Sequence, residues 1–532
     1  MLACGPACSV GWRAEFHEPP AEITTEEVSA KPTPADAPFV KLHTHDGEVY
    51  VLERWSFDEA QHQVHGYGLY YSTERDMKGR GEFDVPYERV ALVESNTPER
   101  IVHATSLAIM GAAVGTVTGM GIYCAVNPKA CFGSCPTFYV NVDESEGEAG
   151  GLQLRAEGFS SAVAAALEER DVDHLGVVDP PAGDFTLVMA NEALETHFLR
   201  SVEILSVPRP SDAELFHTRA GFVAVTGREA PTRCHGLGGD CLAAVRDADE
   251  LEYATTTDGR DLASREFIEL AFPARAAGSR PVLVLRARNT LLDTFLFYQG
   301  LAYMGAEAPR WILRADSEGA NGPLVSLLRG FDRALGDIEV ELWQDGEWRS
   351  VGGLHEYGPI ARETQAVELP ALTGEDGGGE LRLRLRLTRG RWKLDQVGLG
   401  EHAGNPRATT LQPLAVVHGG QRDQQALDAL LDPQRHLLSY PGDVWILSYH
   451  LPTGPQTLFL ASQGFYWEWT REDWIAEQDP IAAVRFFADP QATLRRLAPD
   501  FAAVEDKLEP VFWTTRIQPF PLDEHVVKEA QP

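Results

Sequence analysis

The chain has 532 residues, too many for one hydrophobic core, so several domains are expected. Its 44% hydrophobic and 23% charged residues are ordinary for globular protein. The 79 acidic residues outnumber 46 basic ones for a net charge of -33, spread along the chain, and a field of that sign argues against a nucleic-acid partner.

Residues 1–38 begin "MLACGPACSVGWRAEFHEPP", without the charged and apolar regions of a complete signal peptide. Ala3-Cys4-Gly5 resembles the end of a bacterial lipoprotein signal, which makes Cys4 the lipidation candidate; the alternative is an ordinary cytoplasmic start. Residues 17–38 are rich in Pro, Glu and Thr and read as a disordered tether.

Residues 39–100 alternate with the strand period, and Asp46-Gly47 is a hairpin signal, so a small antiparallel β domain is expected. His43 and His45 share one strand face. With His62 and His65 folded back they could hold zinc or copper, but an exposed polar face is the favoured reading, since no Asp or Cys completes the set. Residues 101–127 form an apolar segment, uncharged over 104–126 and long enough to span a bilayer. Gly111, Gly115 and Gly119 recur every four residues, a glycine zipper that lets helix backbones approach. A buried helix or a Gly-rich strand pair is the alternative to membrane contact.

A β domain with a cysteine cluster is expected over 128–226. Cys124, Cys131 and Cys135 lie in "CAVNPKACFGSCP". The CxxxCP pattern resembles the copper site of Sco-type chaperones, which would make Cys131 and Cys135 ligands of a soft metal ion. No thioredoxin-like βαβ pattern frames it, and a structural disulfide is the favoured reading. Gly158-Phe159-Ser160-Ser161-Ala162 approximates the GxSxG nucleophile turn but lacks the last Gly; a helix N-cap before "SAVAAALEER" explains it.

Residues 227–336 read as a mixed α/β region. Cys234 and Cys241 flank "HGLGGD", a loop easily closed by a disulfide, with a metal loop through His235 and Asp240 as the alternative. "RPVLVLRARN" is a strand, and "TLLDTFLFYQGLAYMG", "APRWILRADS" and "LVSLLRGFDRAL" are helices. Residues 337–402 pattern as a β-sandwich or jelly roll, with an Asp345-Gly346 hairpin and Arg382, Arg384 and Arg386 on one strand face. The pattern loosely resembles carbohydrate-binding sandwiches. Residues 403–532 give a C-terminal β domain with a helical tail. Its "FYWEW", Phe465 to Trp469, could stack on sugars or fill a core.

The chain contains no P-loop, dinucleotide-binding glycine turn, HExxH or EF-hand loop. "NPKACFGSCPTFY" and the later "LLDTFLFYQGLAYMG" resemble a group of exported, lipoprotein-like bacterial proteins over much of 39–530. That resemblance implies a cell-envelope location, periplasmic or associated with the outer membrane, and no particular activity. The chain therefore reads as mainly β with some α, multidomain, with antiparallel β units, a sandwich-like domain and an apolar glycine-zipper helix. The expected function is a non-enzymatic envelope lipoprotein that binds or scaffolds surface components. Its partners would be the membrane, through the lipid anchor and residues 104–126, and envelope proteins or glycans. The alternatives are a copper- or zinc-binding or thiol-redox protein using the CxxxC pair, and a carbohydrate-binding envelope protein.

Overall fold

Among the described residues, strand-period alternation is realised as five sheets, antiparallel except for one parallel bridge between His217 and Gln365. The structure, a computed structural model, describes residues 10–17, 40–44, 48–58, 60–71, 77–100, 135–142, 151–159, 162–178, 183–193, 195–355, 358–359, 361–372, 379–440, 442–469 and 477–509. Cys4, Cys124, Cys131, Gly111, Gly115, Gly119, His45, Ser160, Ser161 and residues 104–126 lie outside these. Among the described residues no helix is long and apolar enough to cross a membrane.

The N-terminal sheet has six strands, with Val40–Thr44 and Val49–Asp58 paired as the Asp46-Gly47 signal predicts. Val40, Leu42, Leu52, Val64, Val90 and Val93 form its core. His43 lies on the first of these strands, and His65 bonds Asp84 at 2.6 Å.

Two further sheets form a sandwich from segments far apart in sequence. One joins Gly151–Glu157, Thr137–Val142, Asp184–Ala190, Val444–His450 and Ala415–His418; the other joins Glu169–Val178, Gln456–Glu468 and Glu195–Pro208. Phe138, Leu187, Met189 and Leu447 meet Leu199, Ile204, Leu458 and Leu460 between them. Phe465, Tyr466 and Trp469 are buried here, so the aromatic run packs core.

In the fourth sheet, Gly221–Glu229 pairs with both Glu214–Thr218 and Trp392–Gly404. Together with Glu363–Glu368 and Pro281–Asn289 these strands close a ring. Val282 and Val284 cluster with Phe216, Val223, Val225 and Ala366. Leu283 and Leu285 point the other way, into the core shared with the fifth sheet. That sheet includes Arg265–Phe272, Leu381–Thr388 and Ile338–Gln344. On Leu381–Thr388 the leucines face inward, while Arg382, Arg384 and Arg386 pair outward with Glu269, Glu341 and Glu339. The arginines therefore build a solvated salt-bridge face.

Helices Leu292–Met304, Ala308–Glu318, Pro323–Leu328 and Gly330–Leu335 fall where the apolar runs indicate. They share a core with Pro480–Ala488 and Pro490–Ala502. Asp479 and Asp489 cap these last two helices, each followed by Pro at the first helical position, where a missing N–H does no harm.

Three expectations change. Cys135 is a free, buried thiol rather than a disulfide partner. The expected helix "SAVAAALEER" shrinks to one 3-10 turn, Ala165–Leu167, because Glu169–Val178 pairs instead with Gln456–Glu468 and tertiary pairing overrides local propensity. Residues 227–272, expected as part of a mixed α/β region, contribute strands to both C-terminal sheets.

Cys234 and Cys241 form a disulfide between sulfurs that are both buried. Closing so short a loop stabilises the fold by about 2 kcal/mol in the chain-entropy account. The double variant C234S/C241S should lose about that much in urea unfolding, and the two thiols of the native chain should resist labelling in denaturant without reductant.

Candidate functional site

A cavity of about 660 Å³ opens where the sandwich, the ring and the helices meet. Its apolar wall is Leu296, Leu301, Met304, Phe331, Phe486 and Phe487, from helices on both sides of the fifth-sheet segment. Its polar wall is acidic and mixed, with Glu157, Asp171 and Glu363 from three strands and His217, Arg219 and His355 beside them. A cavity of this size with an apolar body and a few convergent polar groups matches the dimensions of a small-molecule site.

The polar wall follows from strand period. Asp171 and Asp173 are two residues apart on Glu169–Val178, so both side chains leave the same face. Glu363 begins the ring strand Glu363–Glu368, and Glu157 ends Gly151–Glu157. Ligand oxygens of Asp171, Asp173 and Glu363 all lie within 4.8 Å of one another. Asp171 accepts hydrogen bonds from the Phe159 and Val172 N–H groups, each at 2.9 Å. Glu157 accepts one from the Ala361 N–H at 3.2 Å. Asp173 is 1% exposed and neither carboxylate oxygen has a hydrogen-bond donor. Glycine makes room for this packing: a Cβ on Gly358 would sit 2.2 Å from the Glu157 carboxylate, and one on Gly158 would sit 2.7 Å from Ser462 Oγ.

Burial disfavours the charged forms of these acids. Asp173 is pushed well above the usual carboxylate range by burial first, then by the charges of Asp171 and Glu363. Glu363 is raised well above it too, by burial and by the Asp171 charge. Asp171 is raised by burial, and its two backbone N–H donors oppose the shift.

Cys135 also lines this cavity. Burial and the nearby Glu157 and Glu195 carboxylates push its thiol well up, away from the reactive thiolate in the metal-free chain. Cys131, the other member of the CxxxC pair, lies outside the described residues. The sequence-derived candidates are not gathered into one site: Cys234 and Cys241 lie in the core between the fourth and fifth sheets, and His43 lies in the N-terminal sheet. The acidic wall escaped the sequence reading. Its one local signal is "RDVDHLGVV", where two acids alternate onto one face of an otherwise apolar strand.

No family model matches the chain, and no curated protein matches it. Among solved structures, a subviral particle of infectious bursal disease virus VP2 aligns over 95% of this chain and 94% of that chain, at 8% identity and a TM-score of 0.15. The secreted serine protease VesC from Vibrio cholerae aligns over 69% of this chain and 98% of that chain, at 9% identity and a TM-score of 0.12. At such TM-scores neither likeness bears on fold or activity. The molecule itself defines the class: a multi-sheet β protein with a helical layer and an acid-lined cavity at their junction.

The raised carboxyls carry a definite pH sign. A folded-state pKa above the unfolded value means that the folded chain holds the extra protons. The stability from this effect is present below the unfolded pKa and is lost as pH rises through the folded value. Asp173→Asn removes that loss where Asp171, Glu363 and Glu157 are its charged neighbours. In chelator-treated protein, D173N should exceed the wild type in urea stability at pH 8, with a smaller gap at pH 5.

Proposed function

We propose that the protein is a non-enzymatic binding protein of the bacterial cell envelope that takes a small amphipathic molecule into the junction cavity. The observation that carries this reading is the cavity itself, with its apolar helical wall and its acidic strand wall. An apolar body would pack against Leu296, Leu301, Met304 and Phe486, while donor groups would face Glu157, Asp171 and Glu363. The acidic wall favours an amine over a carboxylate at the polar end. The Cys234–Cys241 disulfide supports an oxidising compartment, as the envelope location requires. Lipidation at Cys4 would hold the protein at the membrane, and incorporation of labelled palmitate checks that part of the reading.

Leu301 is 1% exposed and lines the cavity, so Leu301→Trp fills the space a ligand would occupy. Dodecylamine should bind the wild type more tightly than dodecanoate in calorimetry, and L301W should weaken dodecylamine by roughly tenfold or more. Equal, weak partitioning of both amphiphiles into wild type and variant would refute the reading.

A second reading rests on a separate surface. Trp343 and Trp348 stand edge to face, with ring centroids 5.1 Å apart, on the solvated side of the fifth sheet. Arg382 lies over both rings, 4.9 and 5.3 Å from their centroids. Such an aromatic platform can stack on sugar rings. A glycan array in which binding disappears with W343A/W348A would support this reading, and an array without hits would dismiss it.

A further inference from the structure

Glu157, Asp171 and Glu363 line the cavity and Asp173 lies behind them, close to Asp171 and Glu363, and their geometry leaves one problem unsolved. Asp173 and Glu363 are both acceptors and both buried, and no donor reaches either oxygen of Asp173. Two acceptors so placed are stable only if something positive lies between them, either a shared proton or a cation. Asp171 is arranged for the charged form, since two backbone N–H groups fix its oxygens.

A second polar group outside the acidic set points to the same place. Ser462 pairs directly opposite Asp171 in the ladder between Glu169–Val178 and Gln456–Glu468, so both side chains leave the same sheet face. Ser462 is 0% exposed and its hydroxyl has no hydrogen-bond partner. Its Oγ lies beside Gly158, next to Phe159, whose N–H holds Asp171. A hydroxyl buried without a partner is costly, and an ion held by the neighbouring Asp171 would give its lone pair a role.

We propose that Asp171, Asp173 and Glu363, with Glu157 and Ser462 beside them, hold one oxygen-preferring divalent cation, with Ca²⁺ the best match. The donor set is all hard oxygen, which selects Ca²⁺, Mg²⁺ or Mn²⁺ over copper and zinc. Ligand oxygens within 4.8 Å of one another can all reach one ion, and Ca²⁺ accepts irregular all-oxygen geometry at about 2.4 Å. Mg²⁺ needs shorter bonds of about 2.1 Å and a nearly ideal octahedron, and it sheds water reluctantly. The strands that supply the ligands belong to the sandwich and to the ring, so the ion ties the two together at the cavity wall. The ion would take the acids that face an amine in the metal-free protein, so the ion titration is run without amphiphile and the amphiphile titration in chelator, and each reading fails on its own result.

The test uses the full chain, freed of metal with chelator and dialysed. CaCl₂, MgCl₂ and MnCl₂ are titrated by calorimetry and by thermal unfolding at neutral pH. One Ca²⁺ per chain is expected, with a rise in melting temperature and weaker binding of Mg²⁺. D173N and E363Q should each weaken Ca²⁺ by roughly tenfold or more, whereas E347Q, at an exposed turn, should leave it unchanged. Circular dichroism confirms that the variants fold. If none of the three ions binds at up to about 10 mM, the carboxyls share only a proton and the proposal fails. It fails equally if Ca²⁺ binds wild type, D173N and E363Q alike, because the ion then lies elsewhere.

Discussion

Strand Pro281–Asn289 has no solvent face, and the C-terminal half of the molecule is built on that constraint. Val282 and Val284 fill the cluster shared by the ring strands, and Leu283 and Leu285 fill the core beneath the fifth sheet. Both edges are also taken, by Glu363–Glu368 on one side and Trp392–Gly404 on the other. A strand enclosed in this way must be apolar at every position rather than at alternate ones, hence "PVLVL". Its far end is held by charge: Arg288, 5% exposed, donates to Glu252 at 2.7 Å through Nε and again through a terminal nitrogen. A buried guanidinium with bidentate partners is stable where a lone one is not.

The same principle explains how the helical layer is attached. Arg391 is 1% exposed and donates to Asp293, at the start of Leu292–Met304, and to the Gly336 carbonyl that follows Gly330–Leu335. One side chain from the turn before Trp392–Gly404 thus ties both ends of the helical insertion to the ring. The insertion then meets Pro480–Ala488 across an apolar interface. The cavity is the remainder of this arrangement, the volume left where helices anchored at their ends cannot close onto a sandwich edge.

What was legible in the sequence divides along physical lines. Local rules found local features. The strand period, the Asp46-Gly47 hairpin signal, the helix at "LLDTFLFYQGLAYMG" and the short Cys234–Cys241 loop all depend on neighbouring residues, and their expected elements are present. Alternation also separated the inward leucines from the outward arginines of Leu381–Thr388. Non-local pairing was invisible. Strands near 140, 187 and 447 share one sheet, and strands near 217, 285, 365 and 398 share another. No single-segment pattern encodes which distant strand is the neighbour. The acidic wall was lost for the same reason: Asp171 and Asp173 look like a polar strand face until Glu363 and Glu157 arrive from elsewhere in the chain. Cys135 was misjudged because its nearness to Cys131 in sequence carried more weight than burial, which no spacing reveals.

The polar atoms at the junction are also where the three layers must agree. Each core is apolar in its middle and ends in a rim of charged or hydroxyl-bearing residues, because strand and helix ends carry the polar positions. When three such rims meet, their charges are brought out of water together. Most find partners here: Arg391 with Asp293, His355 with Asp337 at 2.7 Å, Tyr298 with Glu468. Asp173 does not: its strand is the outer strand of its own sheet, and the side chain meets Glu363 from the ring instead of a donor. An edge strand carrying inward acids resists pairing with a second copy. Once covered by the ring, however, the same acids need a counter-charge. Negative design on a free edge and a charged pocket at a covered one are therefore the same residues in two settings, and the ring decides which of the two this molecule has.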